Sequence, residues 1–389
     1  MTDEELELIR VRLAGLGRAW LPQDVATALR DLGLVVSDAT VLSAVEALRR
    51  GSIGAGRLEP LLALPGLTDV LVNGPDRVYI DRGGGLESTG ISFESDAEVR
   101  RLATRLAASV GRRLDDACPF VDARLADGTR LHAILGTLAD PGTCLSLRIP
   151  ARRSFALADW VRTGAISPGM ARLLTALVDS RVAFLICGGT GSGKTTLLAG
   201  LLGLVPSDHR LLIVEDSREL NPDHPHCVRL ECRPPNSEGA GAITMTDLVR
   251  QALRMRPDRL VLGEVRGGEL CDLLAALNTG HEGGCGTVHA NSVRDIPARL
   301  EALAALGGLS RDACHAQIAA ALRVVVQVNR LADGRRCVGQ VGVIRRVASA
   351  GMTVEVGVDC GADRQLRAGP GWAALAELTG CQWAEVGTA

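Results

Sequence analysis

The chain has 389 residues, 47% of them hydrophobic and 2% aromatic, with a formal net charge of −2. That length predicts two domains with extensions, and so much aliphatic material excludes a disordered chain. The near-neutral balance gives no general attraction to nucleic acid or anionic lipid.

The Met1 end is acidic and lacks the basic stretch and apolar run of a secretory signal. Apolar runs such as Val182 to Cys187 fall far short of the ~18 residues of a membrane span. Eleven scattered cysteines include no Cys-x-x-Cys, so neither zinc nor a redox pair is expected. A reducing, cytoplasmic location is expected, at most peripheral to a membrane. Lys and Arg total 43, yet the only lysine is Lys194. An ammonium is a compact point charge and a guanidinium a planar fork, so the surviving lysine marks a place where arginine will not serve.

Residues 1–57 read as a helical extension, with Val41, Val45 and Leu48 at helical spacing and Gly51 as a stop. Residues 58–150 read as a small α/β domain. Val70–Val72 and Val78–Ile80 flank the turn Asn73-Gly74-Pro75-Asp76, a helix is expected over 97–110, and strands over 131–135 and 144–149. Residues 151–168 read as a linker broken by Gly164 and Pro168. From 169 to 345 apolar strands alternate with helices. The strands are expected at 182–187, 211–215, 260–263, 285–289 and 324–328, the helices at 194–204, 247–255, 269–278 and 311–322. This is the pattern of a parallel sheet covered on both faces. Residues 346–389 show little pattern and read as a tail.

The run Gly188-Gly189-Thr190-Gly191-Ser192-Gly193-Lys194-Thr195, followed by Thr196, is a Gly-x-x-x-x-Gly-Lys-Thr phosphate loop between a strand and a helix. Glycines let backbone N–H groups curl around phosphate oxygens, and the helix N-terminus favours an anion. Lys194 is expected on the β and γ phosphates of ATP and the Thr195 hydroxyl on Mg²⁺. The strand ending Gly263-Glu264 supplies a carboxylate to polarise water or serve the metal, with a structural strand-end carboxylate as the other reading. Glu215 and Asp216 form a second acidic cluster at a strand end, where ligands of parallel sheets bind. His281 and His289 lie among glycines and read as phosphate-sensing. His132, His209, His224, His226 and His315 read as structural.

In this order, the phosphate loop, the acidic box Ile213–Leu220, Gly263-Glu264 and the box Thr279–Asn291 resemble the type II/type IV secretion ATPases. Closest in appearance is the tight-adherence pilus branch (CpaF/TadA). Gly66–Pro75, Val121–Arg130, Arg233–Asn236 and Asp247–Asp258 add to the likeness, which covers about 50–345. The resemblance implies a RecA-like P-loop motor domain, a smaller N-terminal α/β domain and a homo-hexamer. It also implies that Arg130 and Arg148 of the N-terminal domain reach the nucleotide, with Arg112, Arg113 and Arg124 nearby. The implied function is ATP hydrolysis driving pilus assembly or secretion through an inner-membrane platform protein, with no specific nucleic acid. A conjugative DNA-transfer ATPase and a nucleotide-gated scaffold with little hydrolysis remain the alternatives.

Overall fold

The computed structural model describes residues 21–34, 36–37, 40–42, 44–45, 55–150, 155–235, 239–331, 333–347, 351–361 and 363–387, with residues 5, 8, 9, 12 and 13 besides. Leu48, Gly51 and Asn236 lie outside them. The chain forms two compact units, Met1–Ala151 and Arg152–Ala389.

In the first unit the helix Pro22–Asp31 buries Val25, Ala28 and Leu29 in a small cluster with Ile9, Leu13, Ala44 and Val45. The rest is built on six antiparallel strands: β1 (Asp69–Asn73), β2 (Val78–Asp81), β3 (Leu86–Ser88), β4 (Phe120–Arg124), β5 (Arg130–Ile134) and β6 (Cys144–Arg148). Their spatial order is β3-β2-β1-β6-β5-β4. Alternate residues such as Val70, Val72, Leu131, Ala133, Leu145 and Leu147 point to one buried face. The helix Asp96–Ala108 covers that face with Val99, Leu102 and Leu106.

The second unit holds a nine-stranded sheet. Six parallel strands form its body: β7 (Phe184–Cys187), β8 (Leu211–Glu215), β9 (Cys227–Glu231), β10 (Arg259–Val265), β11 (Cys285–Val288) and β12 (Val324–Arg330). β13 (Arg336–Val347), β14 (Gly351–Cys360) and β15 (Leu366–Ala368) extend it antiparallel. The order is β15-β14-β13-β12-β7-β11-β10-β8-β9. Central strands are buried on both faces. Ile186, Ile213, Val261 and Val326 join a core with helices Pro168–Asp179 and Lys194–Leu202. Leu185, Val214, Leu262 and Val325 join another with helices Met245–Leu253, Glu269–Asn278, Ile296–Leu306 and Arg311–Ala321.

Two expectations change. The stretch read as a linker carries a helix, Leu157–Arg162, whose Trp160 is fully buried. The stretch read as a tail is part of the sheet. It supplies β14 and β15 and then the helices Trp372–Thr379 and Trp383–Val386, locked by an edge-to-face contact between Trp372 and Trp383 at 5.0 Å. Its strands are edge-side and half-buried, so they lack the continuous apolar runs that mark the central ones.

The last helix docks on the helix Pro168–Asp179 through close backbone approach. Arg172 Nε donates to the Glu385 carbonyl at 2.7 Å, and a Cβ on Gly169 would fall on the Val386 carbonyl. Gly169→Ala should therefore destabilise the unit, although alanine favours a helix by up to about 1 kcal/mol. Overpacking of this kind costs about 1–3 kcal/mol. The expected result is a lower melting temperature with faster amide exchange at 383–387; a melting temperature equal to or above the parent's would contradict the packing.

Candidate active site

The phosphate loop runs from the end of β7 into the helix Lys194–Leu202. Gly193, at the helix N-cap, has φ 100°, and Gly191 has φ 70°, both in the left-handed region open to glycine. A Cβ on Gly188 would meet the Val328 carbonyl of β12, so no other residue fits there. Gly189, Thr190 and Gly191 are exposed, whereas Ser192 is buried with its Oγ unpartnered. A buried hydroxyl without a partner, inside a loop of glycines, suits an incoming phosphate oxygen.

Lys194 is 7% exposed. Its Nζ donates to the carbonyls of Gly188 and Gly189, both at 3.0 Å, and lies 3.4 Å from His289 Nδ1. Burial, opposed by the charge of Glu264, holds its pKa below the usual lysine value. His289 Nε2 in turn lies 2.5 Å from Glu264 Oε1, close but poorly aligned for a hydrogen bond. An ammonium can only donate, so Nδ1 is the acceptor and the proton sits on Nε2, facing the carboxylate. Burial and the Lys194 charge push the His289 pKa down, which keeps the ring neutral.

Strand order explains the alignment. β7, β11, β10 and β8 are neighbours, so the residues at their C-terminal ends come in the order Lys194, His289, Glu264, then Glu215 and Asp216. Supporting bonds fix each position. Thr287 Oγ1 donates to the Gly263 carbonyl at 2.6 Å, and Gln327 Nε2 to the Asn291 carbonyl at 2.8 Å. Glu264 Oε2 is held by Arg266, through Nε at 2.7 Å and through Nη2. Arg266 Nη1 also lies 3.9 Å from Asp216.

The remaining candidates are placed differently. Glu215 is buried, and its Oε1 accepts from the N–H groups of Glu219 (3.0 Å) and Leu220 (2.9 Å), tying down the turn after β8. A side chain on Gly263 would run into Glu215, so the aspartate usual at that place in P-loop enzymes has no room. His281 sits against its own helix, with Nδ1 3.3 Å from the Ala276 carbonyl. Arg130 and Arg148 belong to the first unit, where they are exposed and directly opposite each other on β5 and β6; Arg124 and Asp69 continue the row. Thr195 and Thr196 are half-buried on the first turn of the helix. The described residues contain no group of three or more His, Cys, Asp or Glu arranged to hold a metal. A hard cation here would take most of its ligands from phosphate and water, with Thr195 as the protein's oxygen.

Several contributors carry no sequence motif. Arg336 Nε lies 3.4 Å from the Gly191 carbonyl, and Arg330 lies beside Gly191. A cavity of about 260 Å³ opens next to the loop, lined by Phe155, Trp160, Thr196, Leu331, Arg336 and Arg364 among others. Phe155 and Trp160 meet edge to face at 6.1 Å. Since nearly every cation in the chain is arginine, nothing local distinguishes Arg266 or Arg336.

A family model described as type II/IV secretion system protein matches residues 52–368. The chain belongs to this family. A "Putative conjugal transfer protein" of Mycobacterium tuberculosis is 52% identical over 328 residues, covering 83% of this chain and 93% of that protein. The conjugal transfer protein TrbB of Rhizobium radiobacter is 31% identical over 275 residues, covering 69% and 81%. Among solved structures, the Yersinia pseudotuberculosis ATPase DotB superposes with a TM-score of 0.52 at 16% identity, covering 82% and 80%. The α/β fold with its RecA-like sheet is that of this solved ATPase. Among the described residues no helix is long and apolar enough to cross a membrane.

Burial pushes the Glu215 carboxyl up to about 7, against the two N–H bonds that pull it down. Between its ordinary value of 4.5 and about 7 the folded chain keeps a proton that the unfolded chain releases. This group's contribution is therefore full at low pH and falls as pH rises through that window. Glu215→Gln, a neutral isostere, should shrink the loss of unfolding free energy between pH 5 and pH 8 by about 1–3 kcal/mol. Denaturant titrations at the two pH values measure it; an unaltered loss would place the charged form of Glu215 in the folded chain throughout.

Proposed function

We propose that this protein is an ATP-hydrolysing hexameric motor that powers pilus assembly or protein secretion at the cytoplasmic face of a membrane. The observation that carries the reading is the line Lys194–His289–Glu264 across the ends of β7, β11 and β10. A phosphate loop alone binds nucleotide. A carboxylate lined up with the phosphate lysine across a neutral imidazole gives the site a group to act on water and a way to sense the phosphate.

In this reading the loop residues Gly188 to Thr196 hold the phosphates. Lys194 would leave its carbonyl partners for the β and γ phosphates, and Thr195 and Glu264 would hold Mg²⁺. When bound, Mg²⁺ neutralises charge developing on the transferred phosphoryl group. Thr196 lines the cavity beside the loop, which gives the nucleoside a place next to the phosphates. His289 senses the γ-phosphate, Glu215 and Asp216 support the acidic side, and His281 acts from the loop behind. Arg130 and Arg148 serve as the reporters of phosphate occupancy. We assign residues 1–57 to a helical extension, 58–150 to the N-terminal domain, 151–168 to the connection and 169–345 to the motor. Residues 346–389 complete the motor's sheet. The platform protein of a tight-adherence-type pilus is the expected partner.

A second reading, a motor for conjugative DNA transfer, is favoured by the names of the two relatives above. Single-stranded DNA separates the two: strong stimulation of turnover by DNA would support conjugation, whereas none is expected of a pilus motor.

The deciding experiment compares variants. Lys194→Ala should abolish turnover, and parental turnover in that variant would remove the phosphate-site assignment. Glu264→Gln should keep nucleotide binding while turnover falls by about two to four orders of magnitude; unchanged turnover would leave a nucleotide-gated scaffold or another base.

For the ring, Arg130→Ala and Arg148→Ala should each leave the chain folded and lower turnover, by as much as the roughly 10³–10⁵ that an arginine supplies in other P-loop enzymes. Doping wild type with Glu264→Gln subunits should inhibit beyond dilution, and specific activity should rise with protein concentration. Activity indifferent to both would point to an ATPase that works as a monomer.

A further inference from the structure

Neither oxygen of Glu264 is open to water. Oε2 takes the Arg266 guanidinium, and Oε1 is buried 2.5 Å from His289 Nε2 without a hydrogen bond. A carboxylate that acts on an attacking water must turn a lone pair to that water within hydrogen-bond reach. As held here, Glu264 offers neither oxygen.

The two covers differ in how they are held. His289 lies between Lys194 and Glu264 on a segment pinned by Gln327, and among the described residues Glu264 is the carboxylate it meets. The Arg266 backbone is pinned, its N–H and that of Gly267 donating to Glu269 Oε1 at 2.6 and 2.8 Å, while its side chain is held at Glu264 Oε2. Its side chain is 61% exposed, and Nη1 lies 3.9 Å from an oxygen of Asp216, itself 52% exposed. Asp216 follows β8, the immediate neighbour of β10, so sheet register sets this spacing. A guanidinium can fork onto either carboxylate; the pair with Asp216 is exposed and individually weak, whereas the Glu264 side chain is 20% exposed. Moving to Asp216 keeps the guanidinium paired and leaves the Glu264 carboxylate without its cation, free to turn to water.

We propose that Arg266 is a positioning residue for ATP hydrolysis, which masks Glu264 in the resting chain and unmasks it by passing its guanidinium to Asp216. This rests on the hydrolytic reading of the site. It assigns Asp216 the role of receiving the arginine rather than touching metal or water, and it makes the acidic cluster after β8 part of the timing of hydrolysis. Nucleotide arrival supplies the trigger: once Lys194 turns to phosphate, His289 loses the ammonium at Nδ1 and the balance around Glu264 changes.

The test is a double-mutant cycle on the full chain, reading phosphate release for kcat and KM and a fluorescent ATP analogue for affinity. Asp216→Asn should lower kcat at least about threefold with KM and affinity unchanged, and Asp216→Glu should restore it. Arg266→Gln should raise basal kcat, and on that background Asp216→Asn should add no further loss. Should Arg266→Gln melt early, Arg266→Lys carries the same prediction, because an ammonium cannot fork onto Oε2. An equal cost of Asp216→Asn on both backgrounds, or a fall in kcat on removing Arg266, overturns the proposal. A wild-type chain that binds the analogue without turnover overturns the hydrolytic reading itself, which shows in the reference arm before any variant is compared.

Discussion

The site is organised around a cation held where its charge is least welcome. Lys194 opens the helix Lys194–Leu202, at the end where the helix dipole is positive, and it is nearly sealed from water. Three acceptors make that tolerable: two carbonyls of its own loop and a ring nitrogen of His289. Those carbonyls are what an isolated buried ammonium requires, and they are weaker partners than an anion. A buried positive charge at a positive helix end, hydrogen-bonded among the described residues to dipoles, is poised for phosphate.

Everything else at the sheet's edge can be traced to that arrangement. His289 must be neutral to accept from an ammonium, and burial beside the same ammonium keeps it so. A neutral imidazole protonated at Nε2 then faces Glu264, so the state of the lysine is felt at the carboxylate through one ring. The glycine at 263 has a steric cause, since Glu215 fills the volume a side chain would need. The two acidic residues therefore divide the space, one packed under the strand end and the other on top of it.

Much of this was legible in the residues. The phosphate loop, the short apolar strands and the carboxylates at their ends are local patterns, and the family likeness added the order in which they come. The spatial order was not legible. Along the chain Glu215 precedes Glu264 and Glu264 precedes His289, but insertion of β11 between β7 and β10 puts the histidine between lysine and glutamate. That crossover depends on long-range packing. Arginines were the other blind spot: Arg266, Arg330 and Arg336 look like every other cation in a chain with a single lysine, and only tertiary placement separates them. β14 escaped notice because it is half-buried along most of its length, so its apolar residues form no continuous run.

β13 has one more implication. Its twelve residues run from Arg336, against the phosphate loop, to Val347, paired with Gly351 of β14. At ~3.3 Å per residue this is a rod of about 40 Å, flanked on one side by β12 and on the other by β14. Truncation at residue 346, where the pattern fades, would strip off β14 and leave that rod as a long bare edge. Its unpaired N–H and carbonyl groups would be a template for other strands. Shortened versions of this protein should end beyond residue 387 if they are to remain dispersed.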